Sequence, residues 1–309
     1  MKIIDLHADI GMDVLKKHQE HIKDVLTTYH LEKLKAGDVF GVNMACFFSG
    51  DETLDVAYDM VEALHGEIVT HHDVHLVLDG KFKDDKLNAL MSIEGMGFIE
   101  ADATDFLKWA YEKGVRIGSL CWNDSNALAT GISGDPARGL TTFGKRAIQT
   151  MNELNMVVDV SHTNEKTFYD ILETSKKPII ATHSNARALC HVDRNLTDQQ
   201  IKAIAQNQGL IGLNAVRKFI SDDEAQQNAL TLAQHAQYMA NLVGYQHLCI
   251  GFDFMDFLEP PYGRNAMASD LQDASMSQNF IKALETVGFT KTQIAAIAYQ
   301  NVIDFFENL

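Results

Sequence analysis

Features that mark several classes of protein are missing from this chain. Its four cysteines form no Cys-x-x-Cys pair, and most lie in apolar stretches, so we expect reduced core residues and a cytoplasmic location. No apolar run reaches the roughly 18 residues of a transmembrane helix. The opening MKIIDLHADIG turns polar too early for a secretory signal, so a membrane partner is not expected.

Positive charge is also scarce. Lys and Arg total 26 against 42 Asp and Glu, which gives a net charge of −16 at pH 7. An acidic excess of this kind argues against binding to nucleic acid or to anionic membranes. The 309 residues, 46% of them hydrophobic, can fill a large core, and barrels of strands and helices reach this length as one unit. With no linker or internal repeat, we predict one domain over residues 1–309.

Short apolar, β-branched runs alternate along the chain with segments of 3.6-residue periodicity. We predict eight strands, at residues 2–9, 40–48, 87–95, 114–122, 156–162, 178–184, 209–215 and 247–254. Strands separated by helices form parallel sheets, and eight is the count that closes an α/β fold of the (β/α)8 TIM-barrel type. An open doubly wound sheet is the alternative, but the first turn, HADIGMDVL, lacks the Gly-x-Gly-x-x-Gly of dinucleotide-binding folds.

Polar residues of the types that bind metals occur at the ends of these strands. They are His7, Asp9, Glu94, His162, His183 and Asp253. Any one of them has an ordinary explanation, such as a helix cap or a core histidine. In a barrel, however, the carboxyl ends of the strands form the active-site face, so six such residues there predict a functional site. Imidazole and carboxylate without thiolate suit Zn²⁺ and similar divalent ions.

The order of the strands predicts two pockets. The first and eighth strands become neighbours in a closed barrel, which brings Asp253 close to the end of the first strand. The fifth and sixth strands lie roughly 4.8 Å apart, so His162 and His183 converge. Glu94 has a long side chain that can reach both groups. Two ions that share one carboxylate can activate a water molecule between them. The predicted cofactor is therefore two divalent metal ions per chain, with Zn²⁺ as the predicted metal.

Two further features are interpreted as structural. The segment HHDVH, residues 71–75, contains residue types that bind metals but lies at an apparent surface turn. Asp159 alternates out of phase with Val158 and Val160, so we expect its side chain to face the helix layer.

Several blocks of sequence resemble the membrane dipeptidase (renal dipeptidase) family of zinc peptidases, family M19, in a soluble bacterial-type version. The blocks are DLHAD, SIEG, GVRIGSLCWNDSN, GLTTFGKRAIQTMNELNMVVDVSH, IIATHSNARALCHVDRNLTD and IGFDF, and the resemblance extends over nearly the whole chain. It implies the (β/α)8 architecture of metal-dependent hydrolases with a binuclear zinc site. His7 and Asp9 would bind one metal and His162 and His183 the other, with Glu94 bridging both.

The resemblance also implies roles in catalysis and substrate binding. Asp253 would lie at the first metal beside a bridging hydroxide, and Asp253 and Glu94 are the predicted catalytic residues. Arg194, in DRNLTD, would bind the C-terminal carboxylate of the substrate. Mammalian members have a substrate-contacting histidine at the end of the fourth strand, where GSLCWN places Trp122 here. An indole N–H donates one hydrogen bond but carries no charge. Trp122 is accordingly predicted to contact the substrate.

The sequence therefore predicts a zinc-dependent dipeptidase acting on dipeptides with a free C-terminal carboxylate, and the resemblance implies tolerance of D-residues there. One alternative is another amide hydrolase, an N-acyl amino acid deacylase, because Arg194 would bind its substrate's carboxylate too. A second is a metal-binding barrel without catalysis, which Trp122 keeps open. The predicted partner is a small peptide substrate, and a homodimer is left open.

Overall fold

The computed structural model describes residues 1–309 and shows eight parallel strands that form a barrel inside a layer of helices. The structure has nine strands in all, of which the short β3 lies outside the barrel. They are β1 (Ile3–Ala8), β2 (Val39–Phe47), β3 (Val74–Leu76), β4 (Leu87–Glu94), β5 (Val115–Gly118), β6 (Val157–Asp159), β7 (Ile179–Ile180), β8 (Ile211–Leu213) and β9 (Leu248–Ile250). The helices are α1 (Ile10–Gln19), α2 (Leu31–Ala36), α3 (Leu54–Thr70), α4 (Thr104–Glu112), α5 (Thr142–Glu153), α6 (Glu165–Thr174), α7 (Asp198–Gln206), α8 (Ala229–Val243), α9 (Gln278–Thr286), α10 (Lys291–Ala295) and α11 (Asn301–Glu307). The prediction of a (β/α)8 barrel is confirmed.

The strands follow the order β7-β6-β5-β4-β2-β1-β9-β8, and β3 pairs with β4 outside this path. Between β7 and β8 the barrel closes through a parallel bridge that joins Ala181 to Ile211. There the N–H of Ala181 donates to the carbonyl of Leu210 at 2.9 Å, and the N–H of Gly212 donates to the carbonyl of Ala181 at 2.8 Å. We call this closure the β7–β8 seam.

Two glycines make the seam possible. A Cβ atom built on Gly212 would lie 1.9 Å from the carbonyl oxygen of Thr182, and one on Gly251 would lie 1.8 Å from the same atom. Real atoms do not approach so closely, so no side chain fits at either position without a movement of the Thr182 backbone.

The apolar core has two parts. Inside the barrel, residues such as Leu6, Leu90 and Ile117 pack with Val302 and Phe306 of α11, so the last helix covers the end of the barrel opposite the carboxyl ends of the strands. A larger cluster fills the space between the strands and the surrounding helices. Both faces of the strands are therefore buried, as a parallel sheet requires. None of the helices combines the length and apolar composition that a membrane-spanning segment needs.

Several strands end earlier than predicted. The predicted strand at 156–162 ends at Asp159 in β6, and the one at 178–184 spans only Ile179–Ile180 in β7. The residues beyond these ends form turns that hold polar side chains over the barrel. The short strand β3, which includes part of the HHDVH segment, was not predicted.

Candidate metal centre

The first group of predicted ligands meets at the ends of β1, β4 and β9. The Nε2 atom of His7 lies 3.0 Å from Oε2 of Glu94 and 3.3 Å from Oδ1 of Asp9. Asp253 lies farther away, with its Oδ1 4.0 Å from the same nitrogen. All four side chains are buried, so the predicted first pocket is present as a compact cluster.

The second group meets on the other side of Glu94. Its Oε1 atom lies 2.8 Å from Nε2 of His162 and 3.3 Å from Nε2 of His183, and the two nitrogens are 3.0 Å apart. Glu94 is the last residue of β4, and each histidine is the third residue after its strand. One carboxylate therefore turns one oxygen toward each pocket, which is the arrangement that the sequence analysis predicted for a bridging ligand.

The donor set fits divalent metal ions. Oδ1 of Asp9 is buried and makes no hydrogen bond, although Nε2 of His7 lies 3.3 Å away and a buried carboxylate oxygen is normally paired. Asp9 occupies the N-cap position of α1, yet its side chain makes no capping hydrogen bond. The ordinary explanation of this residue as a helix cap is therefore wrong. Imidazole nitrogens and carboxylate oxygens within 4.8 Å of one another are ligands that Zn²⁺ and related ions accept.

The electrostatics of the centre also call for positive charge. Burial raises the pKa of Glu94 to about 8 and that of Asp253 to about 7, because removal from water disfavours the ionised form. His7 opposes both shifts, while the carboxylate of Asp9 adds to them by repulsion. Cations bound among these carboxyl groups would offset this repulsion and favour their ionised forms.

The two histidines of the second pocket are suited to act as neutral ligands. Burial lowers the pKa of His162 and of His183 well below the ordinary value, and nearby positive groups lower both further. Metals bind the neutral imidazole, so neither ring has to lose a proton at neutral pH.

Asp253 has an unusual backbone. Its φ of 64° lies in the left-handed region, which Asp tolerates better than most residues. Its N–H donates to the carbonyl of His7 at 3.1 Å, and the side-chain amide of Asn214 donates to its Oδ2 at 3.2 Å. Strain of this kind is often held at functional sites, and here it aims the carboxyl group toward the first pocket.

Arg194 reaches the centre from the loop between β7 and α7, and only 4% of the residue is exposed. Its Nη1 donates to Oγ of Ser184 and its Nη2 donates to the carbonyl of His183, both at 2.8 Å. Nε has no partner. Burial lowers the pKa of the guanidinium to about 10, and the carboxylates of Asp253 and Glu94 oppose that shift. A pairing with Asp193 or Asp198 at the surface, the ordinary explanation, does not occur.

Trp122 lies beside the second pocket. Its ring centroid is 5.8 Å from that of His162, and it meets Phe47 edge-on at 5.1 Å. The indole is half-buried. By contrast, His71 and His72 of the HHDVH segment line a separate surface cavity of about 700 Å³.

A layer of polar residues that was not predicted lies behind the candidate ligands. Oδ1 of Asn123 lies 2.9 Å from Nδ1 of His162, and Oγ1 of Thr182 lies 2.7 Å from Nδ1 of His183. The expectation that Asp159 faces the helix layer was wrong, because its carboxylate accepts hydrogen bonds from Ser161 and Thr182 beneath the metal centre. Asp159 has the same parity as Val157, whose side chain belongs to the barrel interior, and this comparison would have placed it correctly.

Comparison with known proteins agrees with this geometry. A sequence model of the membrane dipeptidase family, peptidase family M19, matches residues 1–308. An uncharacterized protein from the pqqA 5′ region of Klebsiella pneumoniae is 32% identical over 74% of this chain and 84% of its own length. The dipeptidase aclJ of Aspergillus oryzae is 29% identical over 71% of this chain, and the match spans half of that longer protein.

Solved structures share the fold. A metallopeptidase of Rhodobacter sphaeroides, crystallised with a phosphinate mimic of the dipeptide L-Ala-D-Ala, superposes with a TM-score of 0.84 at 23% identity over 99% of both chains. A second structure, of a dipeptidase described as a metallopeptidase of family M19, superposes with a TM-score of 0.85 at 22% identity over 99% of this chain and 98% of its own.

Proposed function

Because the chain belongs to the membrane dipeptidase family of metallopeptidases, peptidase family M19, we propose that it hydrolyses dipeptides with a free C-terminal carboxylate. The family confirms the predicted enzyme class, a hydrolase of peptide bonds. The observation that carries the finer proposal is the position of Arg194, a buried guanidinium with an unpaired Nε beside a buried cluster of histidines and carboxylates. Such a group can bind one carboxylate at a fixed distance from the reacting bond.

The proposed centre contains two divalent ions, with Zn²⁺ as the proposed metal. His7, Asp9 and Asp253 would hold the first ion, His162 and His183 the second, and Glu94 would contact both. Bound ions of this kind polarise a carbonyl group and lower the pKa of water.

The remaining steps belong to the side chains of the chain itself. The carboxylate of Asp253 accepts a proton from the attacking water and then donates it to the leaving amine, as a general base followed by a general acid. Arg194 binds the substrate's carboxylate and so orients the scissile amide. Trp122 lines the open end of the site and contacts the substrate.

The test compares four compounds built from alanine, using protein loaded with zinc. L-Ala-L-Ala and L-Ala-D-Ala carry both a free amine and a free carboxylate. L-Ala-L-Ala amide lacks the carboxylate, and N-acetyl-L-alanine lacks the amine. We expect hydrolysis of the two free dipeptides, with kcat/KM for the amide far lower and negligible cleavage of the N-acetyl compound.

Each alternative function has its own outcome in this experiment. Preference for N-acetyl-L-alanine would show a deacylase. Tight binding of zinc without hydrolysis of any member of a dipeptide library would show a metal-binding barrel without catalysis. Cleavage of L-Ala-L-Ala but not of L-Ala-D-Ala would remove the proposed tolerance of D-residues and leave the rest of the proposal intact.

A further inference from the structure

We propose that Thr182 is a positioning residue shared by both metal pockets, and that its single hydroxyl fixes one histidine ligand of each. This inference rests on the proposed function, because it concerns the residues that would hold the two ions. Thr182 is the second residue after β7, is fully buried and lies next to His183 in the chain.

The hydroxyl of Thr182 contacts one carboxylate and two of the histidines. Oγ1 of Thr182 lies 2.6 Å from Oδ2 of Asp159, 2.7 Å from Nδ1 of His183 and 3.3 Å from Nδ1 of His7. The rings of His7 and His183 are stacked, with their centroids 3.7 Å apart, so both present the same edge to the threonine. The third histidine, His162, pairs instead with Asn123.

The protons available in this network determine the direction of each hydrogen bond. A carboxylate only accepts, and a hydroxyl has one proton to donate and two lone pairs. At 2.6 Å from Asp159, the hydroxyl of Thr182 donates to the carboxylate. Ser161 uses its own proton in the same way, at 2.6 Å from Oδ1 of Asp159. The two hydroxyl oxygens lie 3.2 Å apart, and because both protons are donated to Asp159, neither hydroxyl donates to the other. The contacts of the Thr182 oxygen with the two imidazole rings are therefore bonds that it accepts, from the Nδ1–H groups of His7 and His183.

A histidine that donates from Nδ1 has its lone pair on Nε2. In His7 that lone pair points toward Oε2 of Glu94, and in His183 toward Oε1. Thr182 thus sets the ring orientation and the tautomer that a metal needs in both pockets at once. Partners behind the ligands do this in many metal sites, and removing one typically weakens binding by about 10–100-fold.

The competing explanation is that Thr182 only ties the ends of β6 and β7 together. Its N–H donates to Asp159 at 3.0 Å, and that backbone contact would survive loss of the hydroxyl. The two explanations differ in their consequence for metal affinity, which is the quantity to measure.

The experiment uses the full chain and four variants, with zinc affinities measured by competition with a chromophoric chelator. Thr182→Val removes the hydroxyl at nearly constant volume, and Thr182→Ser keeps it. Asn123→Ala removes the partner of His162 alone. Thr150→Val is the matched control, since Thr150 is a buried threonine in α5 whose hydroxyl pairs with that of Thr104.

We expect Thr182→Val to weaken both zinc sites by about 10–100-fold and Thr182→Ser to restore both to within about threefold of wild type. Asn123→Ala should weaken one site only, and Thr150→Val neither. Loss of thermal stability in Thr182→Val with both affinities unchanged would overturn the inference, as would a serine variant as weak as valine. Wild-type protein that binds fewer than two zinc ions would instead overturn the proposed two-ion centre.

A second measurement decides the matter if Thr182→Val does not fold. In wild-type protein labelled with ¹⁵N-histidine and loaded with zinc, NMR correlations across each ring report which nitrogen carries the proton. Protons on Nδ1 of His7 and His183 are expected. A proton on Nε2 of either ring would overturn the inference.

Discussion

Arg194 offers the sharpest test of how this site selects its substrate. Arg194→Ala removes the guanidinium that would bind the carboxylate of a dipeptide. It also removes two hydrogen bonds, to Ser184 and to the carbonyl of His183. Buried groups that lose a partner in this way cost about 1–3 kcal/mol of stability each, so the variant should unfold at a lower temperature whatever its role in catalysis. Stability alone therefore cannot assign a function to this residue.

The kinetic effect separates the two contributions. Loss of a charged partner at a binding site costs about 2–4 kcal/mol, within the range seen for buried charge pairs. At 1.4 kcal/mol per factor of ten, kcat/KM for a free dipeptide should fall by about 30- to 700-fold. The amide of the same dipeptide has no carboxylate for Arg194 to bind, so its kcat/KM should fall by less than about threefold beyond any loss of folded protein.

The assay is the ratio of kcat/KM for L-Ala-L-Ala to that for its amide, because folding losses cancel in a ratio. Arg116→Ala is the control. Arg116 lies near the start of β5, away from the carboxyl ends of the strands, and donates to the carbonyls of Leu78 and Tyr111, so its loss should leave the ratio unchanged. Arg194→Lys keeps a charge without the forked geometry and should recover only part of the ratio. A ratio in Arg194→Ala equal to that of wild type would show that the residue does not bind the carboxylate.

Four further predictions concern the metal centre and its surroundings. Glu94→Gln should weaken both metal sites together, and metal analysis that finds one ion bound as tightly as in wild type would contradict a bridging role. Asp253→Asn should lower kcat by about 10²–10⁴-fold with little change in Tm, and activity within about threefold of wild type would remove Asp253 from the mechanism. Trp122→His should preserve or raise kcat for dipeptides if the indole only packs against the substrate, whereas a collapse of kcat would give Trp122 a role of its own. Metal-free protein should lose stability in denaturant titrations as the pH rises from about 6.5 to about 8. Folding raises the pKa of Glu94 to about 8 and that of Asp253 to about 7. Over this range the folded chain therefore keeps protons that the unfolded chain has released, and folding becomes less favourable. The lowered pKa values of His162 and His183 act in the opposite direction only below about pH 6.5, the ordinary pKa of histidine. A free energy of unfolding that stays constant between about pH 6.5 and about pH 8 would therefore contradict the raised pKa values of Glu94 and Asp253.

The strands of the barrel were predictable because burial on both faces leaves continuous apolar runs in the sequence. Their carboxyl ends were not. The predicted strand at 178–184 continues well beyond β7, since Ala181 extends the apolar run of Ile179 and Ile180, and Thr182 is β-branched. The backbone there leaves the ladder to place Thr182 and His183 over the barrel. The conformational preferences of the local sequence do not predict where this strand ends. Its end depends on contacts with Asp159 and Glu94, which are distant in sequence.

The residues of the proposed metal centre were predictable because metal-binding residue types stood at the predicted ends of strands. His7 and Asp9 end an apolar strand, and their spacing marks them as candidate ligands without a structure. Thr182 and Asn123 carry no such signal, because threonine and asparagine are common in turns for local reasons. The hydrogen bonds of these two residues to histidines become visible only when strands far apart in the chain are assembled.

The β7–β8 seam limits which substitutions this chain can tolerate near the proposed metal centre. Gly212 and Gly251 bind nothing, yet both press against the carbonyl of Thr182, the residue next to a predicted ligand. Alanine at either position would displace the backbone of Thr182 and, with it, the neighbouring residue His183. In random mutagenesis we therefore expect substitutions of both glycines to impair metal binding, although neither glycine is a proposed ligand. Libraries that aim to alter substrate preference should hold both fixed and vary the open end of the barrel around Trp122.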